Sequence, residues 1–113
     1  MNIFKRFRAV LRIKEAARQA DKAHKKTGER YYVIPNGKNG KLIIMDRFNF
    51  RKLKQKRYVS HNVFVNDLER ECFYCTPYRN GNGALSKEVV TMKCRHYIEF
   101  VAKNSKRKNG NGK

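Results

Sequence analysis

The sequence predicts a single α+β domain over residues 1–102 and a disordered basic tail over 103–113. Three observations point there. Residues 2–26 repeat apolar side chains at three- and four-residue spacing, the period of an amphipathic helix. Residues 30–45 hold two runs of aromatic and β-branched residues around a loop with two Asn-Gly steps, the pattern of a β-hairpin. Residues 87–102 return to a helical period. Hydrophobic residues make up 40% of the 113, enough for one modest core and too many for a wholly disordered chain.

The first helix takes Asn2 as its N-cap and Gly28, just past His24, Lys25 and Lys26, as its C-terminal stop. Its apolar side is expected to hold Ile3, Phe4, Phe7, Val10, Leu11, Ala17 and Ala20, with Lys14 in the same register. Lys5, Arg8, Arg12, Glu15 and Arg18 occupy the other side. In the hairpin, apolar residues stand on both faces of each strand, so a helix is expected to cover one of them. Asp46 caps a short basic helix, residues 47–56, with Met45 and Phe50 placed as a hydrophobic staple. Residues 58–65 alternate weakly and leave room for a third strand, strongest at Val63-Phe64-Val65. Asn66 to Glu69 opens another short helix, whose apolar side is expected to carry Leu68, Cys72 and Cys75. A loop containing Pro77, Gly81 and Gly83 leads to Ser86, the cap of the last helix. That helix buries Val89, Val90, Cys94, Tyr97 and Val101. The tail has no apolar residue with which to offset the entropy of ordering it.

Charge narrows the function. The chain has 28 Lys+Arg against 9 Asp+Glu, a net charge of +19. Such a balance weakens the compact state by self-repulsion and draws in anions. The cations are concentrated in the first helix, the short second helix and the C-terminal region. Residues 59–85 contain only Arg70 and Arg79 against Asp67, Glu69 and Glu71. Arg47, Arg51 and Lys54 fall on one helical stripe, beside a narrower apolar one of Phe50 and Leu53. Lys52, Lys56 and Arg57 add to the run, which contains no acid. Regularly spaced phosphates reward such an array through counterion release. The expected function is therefore non-catalytic nucleic-acid binding (DNA or RNA), mainly through the phosphate backbone. Arg47, Arg51, Lys52, Lys54, Lys56 and Arg57 are the first candidates, and Arg8, Arg12 and Arg18 the second. Tyr31, Tyr32, Tyr58 and Tyr78 lie near basic residues, where base stacking competes with a place in the core.

Other chemistries are weaker. Cys72-x-x-Cys75 has knuckle spacing, and Cys94-x-His96 offers two more soft ligands. In a helix, however, residues two apart point to different sides, and Cys72 and Cys75 fit an apolar stripe. No metal and no cofactor are expected. His24, His61 and His96 are far apart, Gly81-Asn82-Gly83 lacks the residues of a phosphate loop, and no enzymatic activity is expected. The first helix has the composition of a membrane-surface helix, with Phe4, Phe7, Val10 and Leu11 toward lipid. The core is the commoner place for such residues, so no membrane partner is expected, and no small-molecule substrate. The first 25 residues lack the apolar run of a secretory leader, and three cysteines do not build a disulfide framework; a cytoplasmic location is expected.

The stretch Leu68-Glu69-Arg70-Glu71-Cys72-Phe73-Tyr74-Cys75-Thr76-Pro77, preceded by Phe50-Arg51-Lys52-Leu53-Lys54, resembles small uncharacterised basic proteins of bacteriophages and integrated elements of Bacteroides-like bacteria. The resemblance covers about residues 30–80 and carries no assigned activity or site. It implies a phage or mobile-element context, in a host cytoplasm or virion interior. The alternative function is then a structural or assembly protein of a virion (capsid, tail or packaged cargo), with the near-neutral residues 59–85 docking a protein partner.

Overall fold

The computed structural model describes residues 2–37, 39–56 and 65–111, without the side chains of 65 and 105–111. It is α+β. Helix α1 (Ile3–Thr27) is followed by strands β1 (Tyr31–Pro35) and β2 (Leu42–Asp46), then helices α2 (Arg47–Gln55) and α3 (Val65–Glu71). Strand β3 (Tyr74–Cys75) and helix α4 (Lys87–Asn111) complete it. The strands form one antiparallel sheet in the order β2-β1-β3.

The sheet is covered on both faces, not on one, and strand alternation explains how. Val33 pairs with Ile44 on one side and Tyr74 on the other. These side chains face α1 and α4, in a cluster with Ala9, Ile13, Ala16, Ala20 and Tyr97. Tyr32 pairs with Met45 and Cys75. They point the opposite way, toward α2 and α3, and pack with Phe50, Leu68 and Cys72. Two small cores on either side of three short strands account for the apolar residues on both strand faces.

The expected caps are in place. Asn2 Oδ1 accepts from Lys5 N at 2.8 Å, and Asp46 Oδ1 from Asn49 N at 2.8 Å. Ser86 Oγ accepts from Val89 N at 3.2 Å. Met45 and Phe50 are both buried in the α2-side cluster, as a staple requires. Gly40, from the second Asn-Gly step, is at φ +85°, and a Cβ there would stand 2.6 Å from Arg12 Nη1. Glycine is required at this position both for the left-handed backbone and for the close approach of α1.

Helix α1 departs from expectation. Its buried residues are Ala9, Ile13, Ala16 and Ala20, while Ile3, Phe4, Phe7 and Leu11 are exposed. At about 100° per residue the two sets lie on opposite sides of the helix, so only one can reach the sheet. The small side chains win because alanines let the helix axis approach the strands and α4 closely. Every residue from Asn2 to Arg8 is exposed, so the first two turns contribute nothing to the core. Arg12, expected on the outer side, is half-buried instead.

The expected strand over 58–65 falls on residues 58–64, which lie outside the described residues, and on Val65, which opens α3; the third strand among the described residues is Tyr74–Cys75. Cys75 is therefore not on a helical stripe with Leu68 and Cys72. Helix α3 ends at Glu71, and the chain turns so that Phe73 N donates to Val33 O at 2.9 Å and continues as β3. The end of α3 is capped from a distance. Lys93 of α4 is buried, and its Nζ donates to Cys72 O at 2.9 Å and to Glu69 O and Arg70 O at 3.3 Å each. These are carbonyls that a helix end leaves without partners. The α4 backbone continues to Asn111, past the expected boundary at 102, where the side chains beyond 104 are not described.

Candidate nucleic-acid interface

The short helix α2 is fixed at three points: its Asp46 cap, buried Phe50 and half-buried Leu53. Everything else on it turns outward. Arg47, Arg51, Lys52 and Lys56 are exposed, and none forms an ion pair with an acid among the described residues. Lys54 is half-buried, with Nζ 5.9 Å from the centre of the Phe50 ring, so it lies at the edge of the array. Arg57 lies outside the described residues. The Asp46 carboxylate meets the positive end of α2, and the first turn itself carries no acid beside Arg47. An exposed Phe48 stands in the same surface, with Lys52 Nζ 4.6 Å from its ring centre. Its isolation from any apolar period hid it in the sequence.

Beside the first turn of α2 lies a cleft of about 400 Å³, lined by Arg30, Arg47 and Arg79 together with Glu29, Tyr32 and Tyr78. Arg30 and Arg79 are distant from 47 in sequence and could not have been grouped with it. Arg30 has a nine-tenths buried side chain, with its guanidinium 4.2 Å from the Tyr78 ring centre. Its Nη2 donates to Cys75 Sγ at 3.0 Å and to Gly83 O at 3.2 Å, and its Nε has no hydrogen-bond partner. Arg79 is exposed and donates to Glu29 Oε1 at 3.1 Å. Tyr78 is partly open, while Tyr32 is fully buried and unavailable for stacking. Burial lifts the Tyr32 phenol well above its ordinary range. Tyr31 is half-buried, and Tyr58 lies outside the described residues.

The second-rank cations separate. Arg8 is exposed. Arg18 is exposed but paired with Glu15 at 2.6 Å, an arrangement that holds the Glu15 carboxyl below its usual range. Arg12 Nη1 donates to Gly40 O at 3.1 Å and to Tyr97 Oη at 3.0 Å, tying α1 to the hairpin loop and to α4.

The cysteines form a pair, not a foursome. Cys72 and Cys75 are buried, Cys94 is half-buried in α4, and His96 is exposed on another side of that helix. No group of three or more His, Cys, Asp or Glu with metal-holding geometry occurs among the described residues. A hydrogen bond from Cys72, then the Arg30 guanidinium, pulls the Cys75 thiol below its ordinary range; the same bond and burial push Cys72 up. One proton of the pair is therefore expected to leave below the usual thiol value of about 8.5, read as thiolate absorbance near about 240 nm. Arg30→Gln should move that step upward, and an unchanged step would show that Arg30 does not stabilise the thiolate. The depressed native value also predicts a stability trend. The contribution is complete above the unfolded thiol's value and is lost as pH falls through the native one.

Among the described residues, no helix is long and apolar enough to cross a membrane. Compared with protein-family models, curated proteins and solved structures, the chain matches none.

Proposed function

We propose that the chain is a non-catalytic nucleic-acid-binding protein that grips the phosphate backbone with the outer face of α2. The observation that carries this reading is the α2 surface itself. Arg47, Arg51, Lys52 and Lys56 are exposed, without acidic partners among the described residues, on a helix whose other side is held by Phe50 and Leu53. Cations on a packed helix are held in a fixed pattern, which phosphates at regular spacing can match. Arg79 at the neighbouring cleft extends the positive surface, and Phe48 and Tyr78 offer aromatic faces to unstacked bases. Arg12 has no part in this reading, because its guanidinium holds Gly40 and Tyr97.

Titration against labelled duplex, single-stranded and RNA oligomers at several salt concentrations tests the proposal. With about six phosphate contacts on duplex DNA, log K should fall against log salt with a slope of roughly −5. Affinity that does not change between dilute and physiological salt would refute it. The preparation itself offers a control: absorbance near about 260 nm that high salt removes marks co-purified nucleic acid.

A further inference from the structure

Among the described residues, helix α1 carries an exposed apolar stripe with no partner. Ile3 is 77% exposed, Phe4 73%, Phe7 62% and Leu11 51%. Four large apolar side chains within three turns are more than scattered surface residues, and such patches mark interaction sites. They point directly away from the Ala9, Ile13, Ala16 and Ala20 face that packs on the sheet. Their surroundings carry one sign of charge. Lys5, Arg6, Arg8, Arg12 and Lys14 lie within residues 2–14, which contain no acid. Arg8 lies along one side of the stripe, and Lys14 follows it one turn on in the same register. Glu15, the first acid, is held by Arg18.

We propose that this stripe docks on an anionic phospholipid surface, with Phe4, Phe7 and Leu11 entering the boundary between headgroups and acyl chains and the flanking cations meeting lipid phosphates. Charge complementarity selects this occupant. A second copy would bring the same cations against one another, with no acid from residues 2–14 to separate them. Nucleic acid would match the cations but offers a duplex surface of phosphates to four apolar side chains. A bilayer satisfies both, as it does for helices lying in the interfacial plane. The expectation that these residues belong to the core, which argued against a membrane partner, is removed by their exposure. The surface lies on the α1 side of the sheet and α2 on the other, so lipid and nucleic acid would be held on opposite faces.

The test uses the full chain and vesicles of phosphatidylcholine with and without phosphatidylglycerol. Wild type should co-sediment with the anionic vesicles and little with the neutral ones. Phe4→Ser with Phe7→Ser and Leu11→Ser should lower the partition by at least about tenfold. Because those side chains are exposed, circular dichroism should not change. Nucleic-acid affinity should also persist in this variant, so the two proposals fail separately. As a second readout, Phe7→Trp adds the chain's one tryptophan, whose emission should shift to the blue on adding anionic vesicles. Equal sedimentation of wild type and triple variant, or no tryptophan shift, would overturn the proposal. So would a wild-type dimer that the triple substitution dissolves, since the stripe would then belong to a second copy.

Discussion

Replacing Arg47, Arg51 and Lys54 together by alanine is expected to weaken nucleic-acid binding severely while leaving the fold in place. Arg47 and Arg51 are exposed, and the α2 anchors, Asp46, Phe50 and Leu53, are untouched. Lys54 lies over the Phe50 ring, so its loss should cost about 0.5–1 kcal/mol of stability, well short of unfolding. Removing three phosphate contacts should flatten the salt slope from roughly −5 to roughly −3. Deleting 103–113 makes the contrast. That segment, the last turns of α4 with the two residues after them, carries cations but no apolar residue, and its deletion should weaken binding modestly and to the same extent on every sequence. Titration of both variants, with circular dichroism as the folding control, decides between them. Should tail deletion abolish binding and the triple substitution change nothing, α2 is only a solvated face.

The largest effect on stability is expected at Tyr97. Its ring is fully buried between α1, the hairpin and α4, 5.1 Å from the Phe73 ring centre in an edge-to-face contact. Its hydroxyl donates to Gly40 O and accepts from Arg12. Tyr97→Ala should cost about 3–5 kcal/mol, the usual range for an aromatic lost from a core. In a domain of this size that is a fall in melting temperature of roughly 15–30 °C. Tyr97→Phe should cost only about 1 kcal/mol, because Arg12 still donates to Gly40 O when the hydroxyl is gone. Urea unfolding of the two variants measures the difference. Equal losses would mean that the hydroxyl network, rather than the ring, holds the three elements together.

What the residues determine locally was legible in the chain alone. The Asn2, Asp46 and Ser86 caps, the two Asn-Gly turns, the Met45–Phe50 staple and the α+β order depend on neighbours within a few positions. The basic outer face of α2 was legible for the same reason, since one helical turn relates Arg47, Arg51 and Lys54. Tertiary structure decided the rest. Periodicity along α1 contains two apolar stripes, and only the sheet determines which is buried; the alanine side was chosen because it packs more closely. The third strand, Tyr74–Cys75, is two residues long and too short for any period to reveal, and it exists because Val33 O and Tyr31 O accept from Phe73 N and Thr76 N. Arg12 and Lys93 look like surface cations in sequence, yet each is drawn inward by backbone carbonyls that only the folded chain brings to it. The cleft of Arg30, Arg47 and Arg79 is likewise a product of long-range packing, which places one of its cations in the α1–β1 link, one on α2 and one in the loop after β3.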